Sequence, residues 1–287
     1  MSQFTRRDVL ATAGALACAP WSKTAFGRPL GLPIGLQPYS VRDEFKQDCE
    51  GTLRKVSAIG YESIEFSDPF YGMDVKASHK LLKELHLKTP AAQYAYPKDD
   101  SEWEKSVEHA AMFGVKFMIT SIPAGQRKTI DDWKRAAERF NHLGQLSRKA
   151  GARAAYHNHH FEYAVTDGEI PYDVFLKYTD PISVAMELDC FWTTYAGKDP
   201  VEYLLKHPGR FPDLHIKDLK PGFPPSTGPL SGQPFTEVGN GTIDWKRIFS
   251  AAKQSGIVCY FVEQDRCDRP PLESVRISYD YLKKLKV

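Results

Sequence analysis

Four short apolar runs in the second half of the chain each end in two polar residues separated by one position. They are His157 and His159, Glu187 and Asp189, His215 and Lys217, and Glu263 and Asp265. Side chains on a β-strand alternate between faces, so both members of each pair point the same way. The residues between them include Leu188 and Ile216, which are apolar and suit an outer face packed by helices. Carboxylates and imidazoles gathered on one interior face are costly unless something pairs with them. The chain therefore needs a fold that brings successive strand ends to one point.

The order of the elements supplies that fold. Strands are predicted over 33–39, 61–66, 88–95, 115–122, 152–157, 182–188, 214–219 and 257–262, where apolar and β-branched residues cluster. Helices are predicted over 48–59, 75–85, 101–113, 129–150, 172–178, 200–206, 245–255 and 272–286, with Gly60, Gly114 and Gly151 as stops. Regular alternation at about 30-residue spacing argues for a parallel sheet. A single-domain α/β fold, the (β/α)8 TIM barrel, is predicted for 28–287. An open doubly wound sheet is the alternative, weakened because no GxGxxG follows the first strand. The loop 220–241 exceeds a typical connection and is expected to form a lid over the site.

The first 27 residues read differently. Arg6-Arg7 opens the chain, 11–20 is an uncharged Ala-rich run, and Ala25-Phe26-Gly27 offers small residues for cleavage. That pattern predicts a twin-arginine signal peptide over 1–27 and export, to the periplasm in a bacterium with two membranes. Cys18 is weighed as a lipidation site, but Ala15 stands where a Leu is usual. Cys49, Cys190, Cys259 and Cys267 show no CxxC spacing, so they are read as buried thiols. A net charge of +2 gives no reason to expect nucleic acid, and no run of about 20 apolar residues suggests a membrane span. A homo-oligomer is compatible with all of this.

Mixed imidazole and carboxylate groups suit one divalent ion: manganese, iron, cobalt or zinc. Each residue alone has a plainer explanation. His157 reads equally well as a core histidine, Asp189 as a loop cap, and Asp218 as a partner of Lys217 or Lys220.

The motifs also carry a resemblance. Gly35-Leu36-Gln37, Ile64-Glu65-Phe66, Leu188-Asp189-Cys190-Phe191-Trp192, His215-Ile216-Lys217-Asp218, the stretch from Val238 through Gly239-Asn240-Gly241 to Trp245, and Val262-Glu263 resemble the xylose-isomerase-like barrel superfamily. The likeness is to its sugar phosphate isomerase/epimerase branch and covers the mature chain. It implies a metal held by Asp189, His215 and Glu263. The fourth family ligand is a glutamate, and this sequence has His157 there, with His159 as the alternative on the same strand end.

The expected function is a metal-dependent isomerase or epimerase of a sugar or keto-sugar, working through an enediolate. A lyase, dehydratase or hydrolase-like enzyme acting on 3-keto glycosides is the alternative, because one of the family's two metal-bound glutamates is missing. A non-catalytic sugar-binding barrel and a metal-dependent endonuclease stand behind these. Glu263 is assigned as ligand and base, and His159 as the second acid/base group. Lys217 is assigned to polarise substrate oxygen and Glu187 to a supporting or acid/base role. Gln37 and Glu65 are expected to bind sugar hydroxyls, and Trp192, Phe70 and Tyr39 to stack on a sugar ring. A phosphorylated substrate is disfavoured, since no glycine-rich phosphate loop appears.

Overall fold

A computed structural model describes residues 27–67 and 70–287. The expected leader over 1–27 therefore lies outside the described residues, apart from Gly27. The centre is a ring of parallel strands: β1 (Gly35–Leu36), β2 (Ser63–Ile64 and Phe66–Ser67, broken at Glu65), β3 (Ala91–Gln93), β4 (Phe117–Thr120), β5 (Arg153–His157), β6 (Val184–Asp189), β7 (Asp213–Ile216) and β8 (Cys259–Val262). The strands pair in chain order and β8 returns to β1. The first half of β2 pairs with β1 and the second with β3, so the ring closes through β2.

Around it lie α1 (Cys49–Ile59), α2 (Val75–Glu84), α3 (Asp100–Phe113), α4 (Ile130–Ser147), α5 (Pro171–Tyr178), α6 (Pro200–Lys206), α7 (Trp245–Ser255) and α8 (Pro271–Leu282). The fold is the expected single-domain (β/α)8 barrel. Local chemistry explains where the helices start. Asp48, Asp74, Asp99, Asp199 and Asp244 each accept a hydrogen bond from the first turn of the helix they precede, and Thr129 with Asp132 forms a capping box on α4. Such a cap is worth about 1 kcal/mol.

The strands are shorter than the sequence suggested. β1 stops at Leu36 because Pro38 has no N–H to continue the ladder and opens a 3-10 turn, Pro38–Val41. Two short helices, Arg42–Gln47 and Cys190–Tyr195, were not anticipated. The large core lies between strands and helices and contains Leu188, Leu214 and Ile216, as the alternation required. Inside the ring, the lower part is filled by Ala91, Phe117, Ile119, Ala155, Ala185, Cys259 and Phe261. The upper part is filled by acids and imidazoles.

The expected lid has structure of its own. Asp218–Leu219 pairs antiparallel with Phe235–Thr236. Phe223, Leu230 and Phe235 pack on Phe191, Trp192 and Tyr195. His160 Nε2 meets the Gly228 carbonyl at 2.8 Å, which ties the loop to the end of β5. Among the described residues, no helix is long and apolar enough to cross a membrane.

Candidate active site

The register aligns the strand ends. His157 lies opposite Glu187, Glu187 opposite Asp213, and Asp189 opposite His215. Four side-chain atoms then face one another. Asp189 Oδ2 is 3.9 Å from His157 Nε2 and 3.8 Å from His215 Nδ1, and His215 Nδ1 is 2.9 Å from Glu263 Oε2. Around one ion with bonds of about 2.0–2.2 Å, ligand atoms stand roughly 3–4 Å apart.

The donor set fits a divalent ion on a further ground. Asp189 Oδ1 is used, accepting from Trp192 N at 2.7 Å and capping the short helix Cys190–Tyr195. Asp189 Oδ2 is buried and accepts no hydrogen bond; Lys217 Nζ stands 3.1 Å away. The cap and the open oxygen belong to the same carboxylate.

The far ring nitrogens are held from below. His157 Nδ1 meets Glu187 Oε2 at 2.7 Å. His215 Nε2 meets Glu65 Oε2 at 2.8 Å and lies 3.1 Å from Glu187 Oε1. Carboxylates in this position fix the tautomer and leave the opposite nitrogen free to bind a metal. Between His157 and His159, the geometry favours His157 as the strand-end ligand. The His159 ring turns toward Phe161 and Trp192, with about a third of its side chain exposed at the mouth.

Electrostatics separates the groups. Burial would lower the His215 pKa, but Glu187, Glu65 and Glu263 raise it well above the usual value. Burial, then His215 and His159, press His157 well below its usual value. Burial and Lys217 push His159 down to about 3, so it is a neutral imidazole. Burial acts to raise Glu263, yet Lys217 and His215 hold it at about 2. Burial lifts Asp189 to about 6 against the pull of Lys217 and His215. Burial also works against charge on Lys217, but Asp189, Asp265 and Glu263 keep it ionised. Its Nζ lies 2.6 Å from Glu263 Oε2 and 3.1 Å from Asp265 Oδ2.

The remaining expected residues fall into two groups. Trp192 lines the mouth: its ring stacks on His160 and carries Lys217 Nζ at 5.4 Å from its centroid, and its buried Nε1 has no hydrogen bond. Tyr39 is on the rim, 46 % exposed, with Arg42 over its ring. Phe70 is instead packed among Phe45, Phe66 and Tyr71. Gln37 and Glu65 are buried and bonded to each other at 2.9 Å, beneath His215 rather than at the mouth. Both belong to the support of the site because Glu65 is spent on Gln37 and His215.

Three residues, Asp213, Asn158 and Glu162, have no role in the sequence reading, and a fourth, Asp218, has other partners than those expected. Asp213 stands two positions before His215, and strict alternation would have found it. Asn158 Oδ1 accepts from Asp189 N at 3.0 Å and so joins β5 to β6. Glu162 is buried, accepts from Tyr156 Oη at 2.6 Å and from His159 N, and anchors the turn that carries His159. Asp218 pairs with neither lysine considered for it. Lys217 turns to the mouth and Lys220 to Asp268, while Asp218 takes the backbone N–H groups of Leu219, Gly239, Gly241 and Ile243 and the Trp245 indole. Among the described residues the four cysteines are unpaired; Cys190 and Cys259 are buried and Cys49 and Cys267 partly so.

A hollow of about 830 Å³ opens at the other end of the barrel, lined by Leu82, Leu87, Phe113, Pro212 and Val258 among others. No acid lines it, and active sites of this architecture lie at the strand C-termini.

A family model described as xylose isomerase-like TIM barrel matches residues 53–285. The chain belongs to that family. An inosose dehydratase of Clostridium botulinum (strain Alaska E43 / Type E3) is 26 % identical over 88 % of this chain and 95 % of that protein. An inosose dehydratase of Lacticaseibacillus casei is 25 % identical over 81 % of this chain and 88 % of its own length. A solved sugar phosphate isomerase/epimerase of Parabacteroides distasonis superposes with a TM-score of 0.77 at 28 % identity, covering 93 % of this chain and 96 % of that one. Family membership and these relatives make the chain a member of a sugar-metabolising enzyme family.

Proposed function

We propose that the protein is a divalent-metal-dependent lyase that removes water, or another β-leaving group, from a keto-polyol or 3-keto glycoside. This reverses the order of the two readings drawn from the sequence. One observation carries it. The end of β5 presents His157, a neutral imidazole committed to Glu187, where an epimerase of this family would carry a glutamate. Epimerisation needs an acid and a base of similar strength on opposite sides of one carbon. Here the two sides differ. The names of the full-length relatives support the same reading.

Asp189, His215 and Glu263, whose ligand atoms lie within 4.8 Å of one another, would hold the ion, with His157 Nε2, 3.9 Å from Asp189 Oδ2, as the fourth ligand, and the mixed set suits manganese, iron, cobalt or zinc. When bound, the ion would supply Lewis-acid polarisation of the substrate ketone and its neighbouring hydroxyl. Glu263 is ionised but paired with Lys217, which makes it a better ligand than base. His159 reaches the mouth and takes the proton from the carbon next to the ketone; the Lys217 charge that weakens it as a base is offset as negative charge grows on the substrate oxygen. The Lys217 ammonium balances the negative charge that grows on the substrate oxygen. His159 then returns its proton to the β-hydroxyl as the C–O bond breaks. One C–H and one C–O bond are lost, a C=C bond forms, water leaves, and the imidazole ends as it began. Trp192 would offer a flat face to the substrate ring.

Incubating the metal-loaded protein with an inosose and with 3-keto glycosides in D2O tests this. Loss of water with a rising enone absorbance supports the lyase. Solvent deuterium entering at carbon with inversion and no elimination supports the isomerase/epimerase, which the Parabacteroides neighbour favours. Neither change on any of these substrates, with metal bound, would sink both. Export through the twin-arginine route belongs to the same proposal and rests on the leader sequence; cell fractionation tests it.

A further inference from the structure

The lower end of the ring opens into the hollow of about 830 Å³. Much of its wall is apolar. Leu82, Leu87 and Phe113 line it beside α2 and α3, and Pro212 and Val258 line it across the ring, where β7 and β8 begin. Phe117 and Cys259, from the apolar plug inside the ring, form its floor. Val258 is half exposed, so an apolar chain can reach it.

The charge on this wall has one sign. Lys83 on α2, Lys88 before β3, Lys116 before β4 and Arg153 at the start of β5 all line it, and no acid does. Among the described residues, Lys83, Lys116 and Arg153 form no ion pair. Glu62, the acid that acts on Lys88, is paired with Arg28. Arg153 N donates to the Lys116 carbonyl at 2.9 Å, so two of the cations begin neighbouring strands. Like charges placed side by side on adjacent strands are unfavourable. Arg153 Nη2 is held by the Pro181 and Val184 carbonyls, both at 2.8 Å, and its buried Nε has no hydrogen bond. Helices also end on this face, and their last carbonyls favour cations, but only within the final turn. Lys83 lies in that turn of α2, whereas Lys88, Lys116 and Arg153 stand at strand starts. An apolar concavity with a few fixed polar groups is the usual form of a small-molecule site. Here the polar groups ask for an anion and the wall asks for a hydrocarbon chain attached to it.

We propose that this hollow binds a single-chain amphiphile with an anionic head, of the fatty-acid class. Its carboxylate lies at Lys116 and Arg153, and its chain crosses the lower ring toward Pro212 and Val258. The site is at the opposite end of the barrel from the mouth and depends neither on the metal nor on the proposed lyase reaction.

Calorimetric titration of the full chain with octanoate, decanoate and dodecanoate, each below its micelle concentration, tests this. About one molecule should bind per chain, about fourfold more tightly for each added CH₂. Acetate, which lacks the chain, and decan-1-ol, which lacks the charge, should each bind at least about tenfold more weakly than decanoate. Lys116→Glu and Val258→Asp alter exposed side chains and should each weaken decanoate about tenfold at an unchanged melting temperature. Lys83→Glu serves as the charge variant if Lys116→Glu melts early. No saturable binding of decanoate, or binding that none of these variants weakens, overturns the site. Decan-1-ol held as tightly as decanoate overturns the anionic head. Capture of the protein by phosphatidylglycerol vesicles, with no binding of monomeric decanoate, makes the face a membrane surface and overturns the proposal.

Discussion

At the residue scale, His215 joins the two layers of the site. In the metal-free protein it is a protonated imidazole caged by Glu65, Glu187 and Glu263. An ion can reach Nδ1 only after that proton leaves. Metal binding should therefore release at least about one proton and tighten as pH rises. Calorimetry in buffers of different ionisation enthalpy measures this; a buffer-independent heat would contradict it. Glu162 gives a second pH effect. Burial lifts its carboxyl to about 7, although Tyr156 and the His159 N–H work the other way. The folded state thus binds a proton more tightly than the unfolded chain. That stability is present below the ordinary carboxyl pKa and is lost as pH rises toward 7. On the order of 3 kcal/mol is at stake for a shift of this size. Glu162→Gln should flatten the stability profile between about pH 5 and 7, measured by urea unfolding.

At the element scale, the proposed chemistry turns on the end of β5, and the loop after β7 packs on Phe191, Trp192 and Tyr195. His157→Glu places a carboxylate beside Glu187, at the position where the family resemblance implies a glutamate. The variant should still bind metal, with a changed preference among manganese, cobalt and zinc and a changed turnover. If it matches the parent in metal affinity and turnover, His157 is no ligand. Asp218 holds the loop by gathering four backbone N–H groups and one indole N–H. A side chain at Gly241 would collide with that carboxylate, and one at Gly239 with the Tyr281 ring. Asp218→Ala leaves those donors buried and unpaired, at a cost of about 3 kcal/mol. Amide exchange over 238–243 should accelerate in this variant while exchange in β4 and β5 stays slow.

At the scale of the whole molecule, the site is a concentration of buried charge inside a ring that is otherwise apolar. Filling it should stabilise the entire barrel. A ligand at a hundred times its dissociation constant adds about 2.7 kcal/mol. Mn²⁺ or Zn²⁺ should therefore raise the melting temperature of the parent, and His215→Ala should stay folded and show no such rise. A metal-induced shift of the same size in that variant would place the ion elsewhere.

Much of this is legible in the sequence alone. Alternation of apolar strands with glycine-stopped helices is a property of local sequence, and it implied eight units and a closed ring. The spacing of His157, Asp189, His215 and Glu263 at strand ends likewise follows from the two-residue period of a strand. What local sequence does not carry is how far each strand runs and what meets what across the ring. Ladder ends depend on proline and on partner strands. The placement of Glu65 and Gln37 beneath His215, the pairing of Lys217 with three carboxylates, and the turn of Asp218 toward the loop are contacts between residues far apart in the chain. Those contacts are set by the closure of the barrel, which brings β2 beside β6 and β7 at the height where the acids meet.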